Sequence, residues 1–138
     1  MRALKSRRSL LALLLALFPL VLASSCARFR AEHWQSEDTP GKCKASFSFY
    51  EGEFSCTFEA KAGDVLSGSY NVHLESGSLS ISLKDRKGTV WQKSFSVGDS
   101  TEDLQLTLRE SGKCKFVFQG NRARGNFLVT HRTDPPKI

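Results

Sequence analysis

The sequence contains no apolar run long enough to cross a membrane as a helix. Its longest run, Leu10 to Ala23, has about fourteen residues, whereas a bilayer core needs roughly 20. Four basic residues and no acidic residue precede this run, which is the layout of a cleaved secretory signal. We therefore predict that residues 1–25 are a signal peptide and that the chain is exported. The mature protein is predicted to have no membrane span.

Signatures of catalysis and of metal binding are also missing. The sequence has neither the Gly-x-Ser-x-Gly turn of many hydrolases nor the zinc-binding His-Glu-x-x-His pattern. His33, His73 and His131 lie far apart in sequence, and no two cysteines have the short spacing of a zinc site. We predict that the protein is not an enzyme and needs no metal or cofactor. A fold could still bring two carboxylates together.

Excess positive charge is largely confined to the signal. The full chain has 20 basic and 14 acidic residues, and four of the basic residues precede the apolar run. The mature chain of about 113 residues therefore has 16 basic and 14 acidic residues, a net charge of +2. This balance predicts no nucleic-acid binding. The length allows for one domain with one core.

The residues before Cys26 bear on how the chain is held in the cell envelope. Leu22-Ala23-Ser24-Ser25-Cys26 resembles a bacterial lipobox, in which the cysteine is acylated and becomes the new N-terminus. The resemblance implies a lipoprotein whose acyl chains, palmitate among them, anchor Cys26 in a membrane. The alternative is an ordinary cut after Ala23. That cut would release a secreted protein whose Cys26 can form a disulfide.

From Ala45 onward, apolar and polar residues alternate with a period of two, which predicts strands. Leu79, Ile81 and Leu83, for example, alternate with serines. Segments containing Gly, Asp, Asn or Ser separate eight such strands, and no later segment supports a long helix. Half-buried alternation on many short strands predicts an all-β fold, an antiparallel β-sandwich or jelly roll.

The predicted boundaries follow from this pattern. Residues 43–132 form the sandwich, in which a turn is predicted near Gly52. Residues 26–42 are polar and irregular, so they are predicted to be a tether, with Trp34 packing back onto the domain. Residues 133–138 are predicted to be a disordered tail.

The disulfide prediction depends on the same alternation. Cys56 and Cys114 each share the parity of neighbouring phenylalanines, so both are predicted to face the core. A hairpin centred near Gly52 would leave Cys43 several residues out of register with Cys56. We therefore predict a disulfide between Cys56 and Cys114. Cys43 is left over or pairs with Cys26.

Five short motifs in a fixed order carry a family resemblance: Cys56–Glu59, Gly63–Tyr70, Leu79–Ile81, Asp85–Gly88 and Gly112–Phe118. This order resembles the Golgi-dynamics (GOLD) domain of secretory-pathway cargo receptors, over residues 54–121 or about half of the chain. The resemblance implies a jelly-roll β-sandwich that binds other macromolecules and catalyses nothing. Those receptors carry a coiled coil, a membrane span and a cytosolic tail after the domain. Because this sequence shows none of these, cargo reception is not carried over.

The main predicted interaction feature is the loop from Gly120 to Asn126, between the last two strands. Its Arg122 and Arg124 could present guanidinium groups to a carboxylate, sulfate or phosphate of a partner. The alternative is a solvated hairpin whose glycines permit positive φ. Trp91 could add an aromatic binding surface, or it could pack in the core.

The sequence as a whole predicts a non-catalytic cell-envelope lipoprotein that acts as a binding module for a protein or glycan partner. The alternative is a secreted hydrolase inhibitor that uses the hairpin at Gly120–Gly125 as its plug. A row of surface aromatic residues would favour glycan binding, and a protruding loop would favour inhibition. Carboxylates that converge in a cleft would favour an enzyme.

Overall fold

A computed structural model describes residues 29–136 of the chain. Its strands are β1 (Arg30–Glu32), β2 (Gln35–Thr39), β3 (Lys42–Ala60), β4 (Val65–Asp85), β5 (Gly88–Phe95), β6 (Gly98–Thr107) and β7 (Gly112–Asp134). The predicted signal peptide, Cys26 and the last two residues lie outside the described residues. Between residues 29 and 136, no helix has the length and apolar character to cross a membrane.

Three of the strands are long enough to take part in two sheets. β3, β4 and β7 contain 19, 21 and 23 residues. Each bends where its register with its neighbours shifts, near Gly52 in β3, near Gly77 in β4 and between residues 120 and 125 in β7. Glycines and bulges allow a strand to turn such a corner. We call the end of the molecule with these bends the closed end, and the opposite end, which carries most of the turns, the open end.

The bends divide the strands between a first sheet and a second sheet. The order in the first sheet is β2, β3 (42–47), β7 (125–134), β4 (65–74) and β6. The order in the second sheet is β3 (52–60), β7 (112–120), β4 (79–85) and β5, and β1 pairs with β3 at the closed end. The eight predicted strands correspond to the segments of β3 to β7, and their order is that of a jelly roll. The prediction of an all-β antiparallel β-sandwich is confirmed.

The two sheets pack face to face around an aromatic core. Phe118 of the second sheet stacks on Phe127 of the first, with ring centroids 4.0 Å apart, and both rings are buried. At the closed end the Tyr50 hydroxyl donates a hydrogen bond to the carbonyl oxygen of Phe118. Burial raises the pKa of Tyr50, so this buried phenol stays protonated.

The described part of the predicted tether belongs to the first sheet and the closed end. β1 and β2 pair with β3, and Trp34 between them stacks on Phe47 with ring centroids 5.6 Å apart. The tether prediction is wrong for this part of the chain, which forms strands. Trp34 itself packs against the core, as predicted. At the other terminus β7 continues to Asp134, which lies inside the predicted tail.

The disulfide joins Cys43 to Cys56, with Cα atoms 6.4 Å apart, so the predicted Cys56–Cys114 bridge is wrong. The prediction took Gly52 for the tip of a hairpin. β3 instead continues through Gly52 and bends into the second sheet, which places Cys43 and Cys56 opposite each other across the core. Cys114 faces the core as predicted, but it is an unpaired thiol in the described part of the chain.

Candidate functional site

The segment from Gly120 to Gly125 does not project as a hairpin, because it forms the bend of β7. Ala123, at its centre, is fully buried. Arg122 and Arg124 are exposed, and Arg124 Nε lies 2.8 Å from Glu75 Oε2. The predicted inhibitory plug therefore lacks the protruding loop on which it was based.

Trp91 packs between the sheets and does not form an aromatic surface. Its ring centroid lies 5.8 Å from that of Tyr70, and its side chain is half buried against the core. The exposed large hydrophobic residues between positions 29 and 136 are Phe29, Val90 and Val97. This part of the chain therefore has no row of exposed aromatic rings.

A row of polar side chains crosses all five strands on the outer face of the first sheet. We call it the polar row, and its members pair in register from edge to edge: Gln35, Ser46, Asn126, His73 and Asp99. They face outward because side chains alternate along a strand, and their neighbours Phe47, Val72 and Phe127 are buried in the core. With about 4.8 Å between strands, the row is about 19 Å long.

Four members of the polar row, all except Asp99, line a groove that we call the first-sheet groove. The groove consists of two adjoining hollows of about 490 and 350 Å³, and Gln35, Ser46 and Asn126 line both of them. The larger hollow extends over Asn71, and the smaller one extends over His33 at the closed end. The two hollows therefore form one polar surface along the row.

The amide groups of this groove are not used inside the protein. None of the side-chain hydrogen bonds within residues 29–136 involves the amide of Gln35, Asn71 or Asn126. An amide has a carbonyl acceptor and two N–H donors. Three donor–acceptor groups on neighbouring strands are thus available to a ligand.

Charged side chains surround the part of the groove nearest the closed end. His73 Nδ1 is hydrogen-bonded to Asp99, and His73 Nε2 lies 3.8 Å from Glu75 Oε1. Glu75 also binds Arg124. The hydrogen bond to Asp99 raises the pKa of His73, and the charges of Asp99 and Glu75 add to this effect. The groove therefore ends in a chain of alternating acidic and basic groups.

The fold brings together two histidines that are distant in sequence. His33 and His73 line the same hollow, and His33 Nδ1 lies 2.7 Å from Ser48 Oγ. Among residues 29–136, no carboxylate is hydrogen-bonded to His33, so this serine–histidine pair lacks the third group of a catalytic triad. In the same residues, no three His, Cys, Asp or Glu side chains are arranged to hold a metal ion.

The third histidine, His131, lies elsewhere, half buried beside two phenylalanines. Its ring centroid is 4.8 Å from that of Phe58 and 5.2 Å from that of Phe116. Burial lowers the pKa of His131, because the charged imidazolium would lose its hydration.

His73 and His131 should therefore titrate on opposite sides of the usual histidine pKa of about 6.5. We expect an NMR pH titration to give a pKa above this value for His73 and below it for His131. The stabilising contribution of His73 is complete below the unfolded pKa and is lost as the pH rises through its folded pKa. His131 acts in the opposite sense, since its contribution is lost as the pH falls through its lowered pKa.

The substitution Asp99→Asn tests the cause of the His73 shift. It should lower the pKa of His73 towards the ordinary value, because the carboxylate that raises it is gone. The pKa of His131 should stay unchanged and serves as the internal control. An unchanged His73 pKa in the variant would contradict the hydrogen bond described above.

No protein-family model and no characterised protein sequence matches this chain. Among solved structures, a CBM4 module covers 76% of this chain and 79% of its own, at 8% identity and a TM-score of 0.47. A carbohydrate-binding module from Cellvibrio mixtus lichenase 5A, in complex with cellotriose, covers 80% of this chain and 92% of its own, at 14% identity and a TM-score of 0.46. PliG from Aeromonas hydrophila, a periplasmic inhibitor of g-type lysozyme, covers 72% of this chain and 89% of its own, at 18% identity and a TM-score of 0.37. Similarity at this level does not assign a function to the chain.

Proposed function

We propose that this chain is a non-catalytic binding module of the cell envelope, attached to a membrane through Cys26, and that it binds a glycan in the first-sheet groove. The observation that carries the proposal is the polar row with its unpartnered amides. Sugar hydroxyls both donate and accept hydrogen bonds. Amide and hydroxyl side chains match them in both roles, and a carboxylate accepts from them. The resemblance to GOLD domains supports a sandwich that binds macromolecules.

The composition of the groove fits a glycan better than a protein. Protein interfaces concentrate apolar and aromatic side chains at their centre. The register positions next to the polar row contain a single aliphatic side chain among polar ones, in the order Glu37, Lys44, Leu128, Asn71 and Thr101. Because hydrogen bonds rather than stacked aromatic rings would hold the sugar, the first-sheet groove should bind it weakly.

Replacing Asn126 with alanine should weaken glycan binding about tenfold. Asn126 is exposed at the centre of the polar row, and losing its hydrogen bonds to the ligand would cost about 1.4 kcal/mol. An array of envelope polysaccharides would first identify the ligand. Titration calorimetry with the wild type and the variant would then give the two affinities.

The matched control is Gln119→Ala, which removes an exposed amide from the outer face of the second sheet. This variant should bind as tightly as the wild type. Both substitutions should change the free energy of unfolding by less than about 0.5 kcal/mol, since both positions are on the surface. Equal affinities for Asn126→Ala and the wild type would rule out the first-sheet groove as the binding site.

A further inference from the structure

We propose that the closed end of the sandwich lies directly against the membrane surface. This inference rests on the attachment through Cys26 proposed above, and it adds the orientation of the domain. The lipid bilayer, with its phosphate headgroups, is the partner of this surface.

The short connection between Cys26 and the domain sets the distance. Phe29 already packs at the closed end, with its ring centroid 5.7 Å from that of Tyr50, and β1 begins at Arg30. Three residue steps separate Cys26 from Phe29. A fully extended chain spans at most about 3.6 Å per residue, so the two Cα atoms lie within about 11 Å of each other. A tether over residues 26–42 would have allowed about 58 Å.

Exposed apolar side chains at the closed end fit contact with a bilayer. Of the three exposed large hydrophobic residues in the described chain, Phe29 and Val97 lie here, with 47% and 63% of their surface exposed. Phe29 precedes β1 at one edge of the sandwich, and Val97 links β5 to β6 at the other edge. Two apolar contacts at opposite edges could enter the interfacial region together.

Two arginines at the same end can bind lipid phosphates. Arg30 and Arg122 are exposed and form no ion pair within residues 29–136. Glu51 is the cross-strand neighbour of Arg30 but forms no ion pair with it. Arg124 is not counted with them, because it is paired with Glu75. A guanidinium group binds phosphate oxygens through two parallel hydrogen bonds. Arg30 and Arg122 therefore supply polar contacts beside the apolar ones.

In this orientation the polar row runs beside the membrane. His73 and Asn126 each lie one residue from the closed-end limit of the first-sheet strands, at Leu74 and Gly125. The larger hollow of the groove extends from the row over Asn71 towards the open end, which points away from the bilayer. A glycan would therefore enter the groove from the open-end side while the closed end stays on the membrane.

The test compares two single cysteines in lipidated full-length protein on vesicles of phosphatidylethanolamine and phosphatidylglycerol. Val97→Cys places a thiol at the closed end, and Arg109→Cys places one in the exposed turn at the open end. A bulky polyethylene-glycol maleimide should modify the cysteine at 97 about tenfold more slowly than the cysteine at 109, because the bilayer covers position 97. The native Cys114 is buried and reports background modification.

A flexible insert of about twelve Gly and Ser residues between Ala27 and Arg28 is the matched control. It should narrow the difference between the two rates, because the domain then stays on the surface only through the contacts of its own side chains while the lipid stays on Cys26. Equal rates without the insert, in protein shown by intact mass to be lipidated, would overturn the orientation alone. Equal protection in unlipidated Cys26→Ser protein without vesicles would also overturn it, since a protein contact would then cover position 97. A mature protein without lipid would overturn the membrane attachment itself.

Discussion

Replacing Gly125 with alanine should lower the free energy of unfolding by about 4 kcal/mol. Gly125 lies in the bend of β7 at a φ of 147°, and a Cβ atom there would overlap the backbone carbonyl oxygen of His73. Overpacking and backbone strain each cost about 1–3 kcal/mol. The backbone cannot shift easily to relieve the overlap or the strain, because Gly125 is paired in register with both Leu74 and Phe47. Denaturant unfolding followed by circular dichroism would measure the loss.

Gly88→Ala is the control for this prediction. Gly88 has a similar φ of 137°, but a Cβ atom at this position would meet nothing within 4 Å. The control should therefore lose only the strain contribution, about 2 kcal/mol. The difference between the two variants measures the close approach of β7 and β4 at the closed end. Equal losses would show that the strands do not come together there as described.

Removing the disulfide with Cys43→Ala and Cys56→Ala should lower the free energy of unfolding by about 5 kcal/mol. The two cysteines are 13 positions apart, and a loop of this size contributes about 3 kcal/mol when its closure restricts the unfolded chain. Both cysteines are buried, so each lost sulfur also leaves a small cavity that costs about 1 kcal/mol. Non-reducing peptide mapping of the wild type should recover Cys43 joined to Cys56. The Cys114 thiol should react only after unfolding, because it is buried and burial raises its pKa.

Cys114→Ala is the matched variant, since it also replaces a buried cysteine. It should keep the bridge between Cys43 and Cys56 and lose only about 1 kcal/mol for the small cavity that it leaves. A peptide map in which Cys56 is joined to Cys114 would contradict the structure and support the pairing expected from the sequence.

The sequence by itself determined the fold class and, for the predicted strands, the side that faces the core. Alternation is a local property, and residues such as Leu79, Ile81 and Leu83 are buried where the period of two predicts it. The sequence also showed where the alternating pattern is interrupted, because glycines mark these breaks. Gly52, Gly77 and Gly125 all have positive φ in the structure. Glycine marks these positions whatever the chain does next.

Only the tertiary structure decided what those breaks are. A polar segment with glycine looks the same in sequence whether it closes a hairpin or bends a continuous strand, because both need the same backbone freedom. Because β3 bends at Gly52, Cys43 lies opposite Cys56 and forms the disulfide with it. Because β7 bends between residues 120 and 125, no hairpin loop projects there. Trp34 packs against the core, and the polar segment around it forms β1 and β2 although its sequence does not alternate.

The candidate site was decided by the tertiary structure as well. The polar row comes from five strands spread between Gln35 and Asn126, and no two of its members are close in sequence. Each of these side chains, read alone, is an ordinary exposed residue at an outward position of a strand. They form a row because the register of each strand pair is fixed by the buried faces on the opposite side, whose shape depends on the whole core.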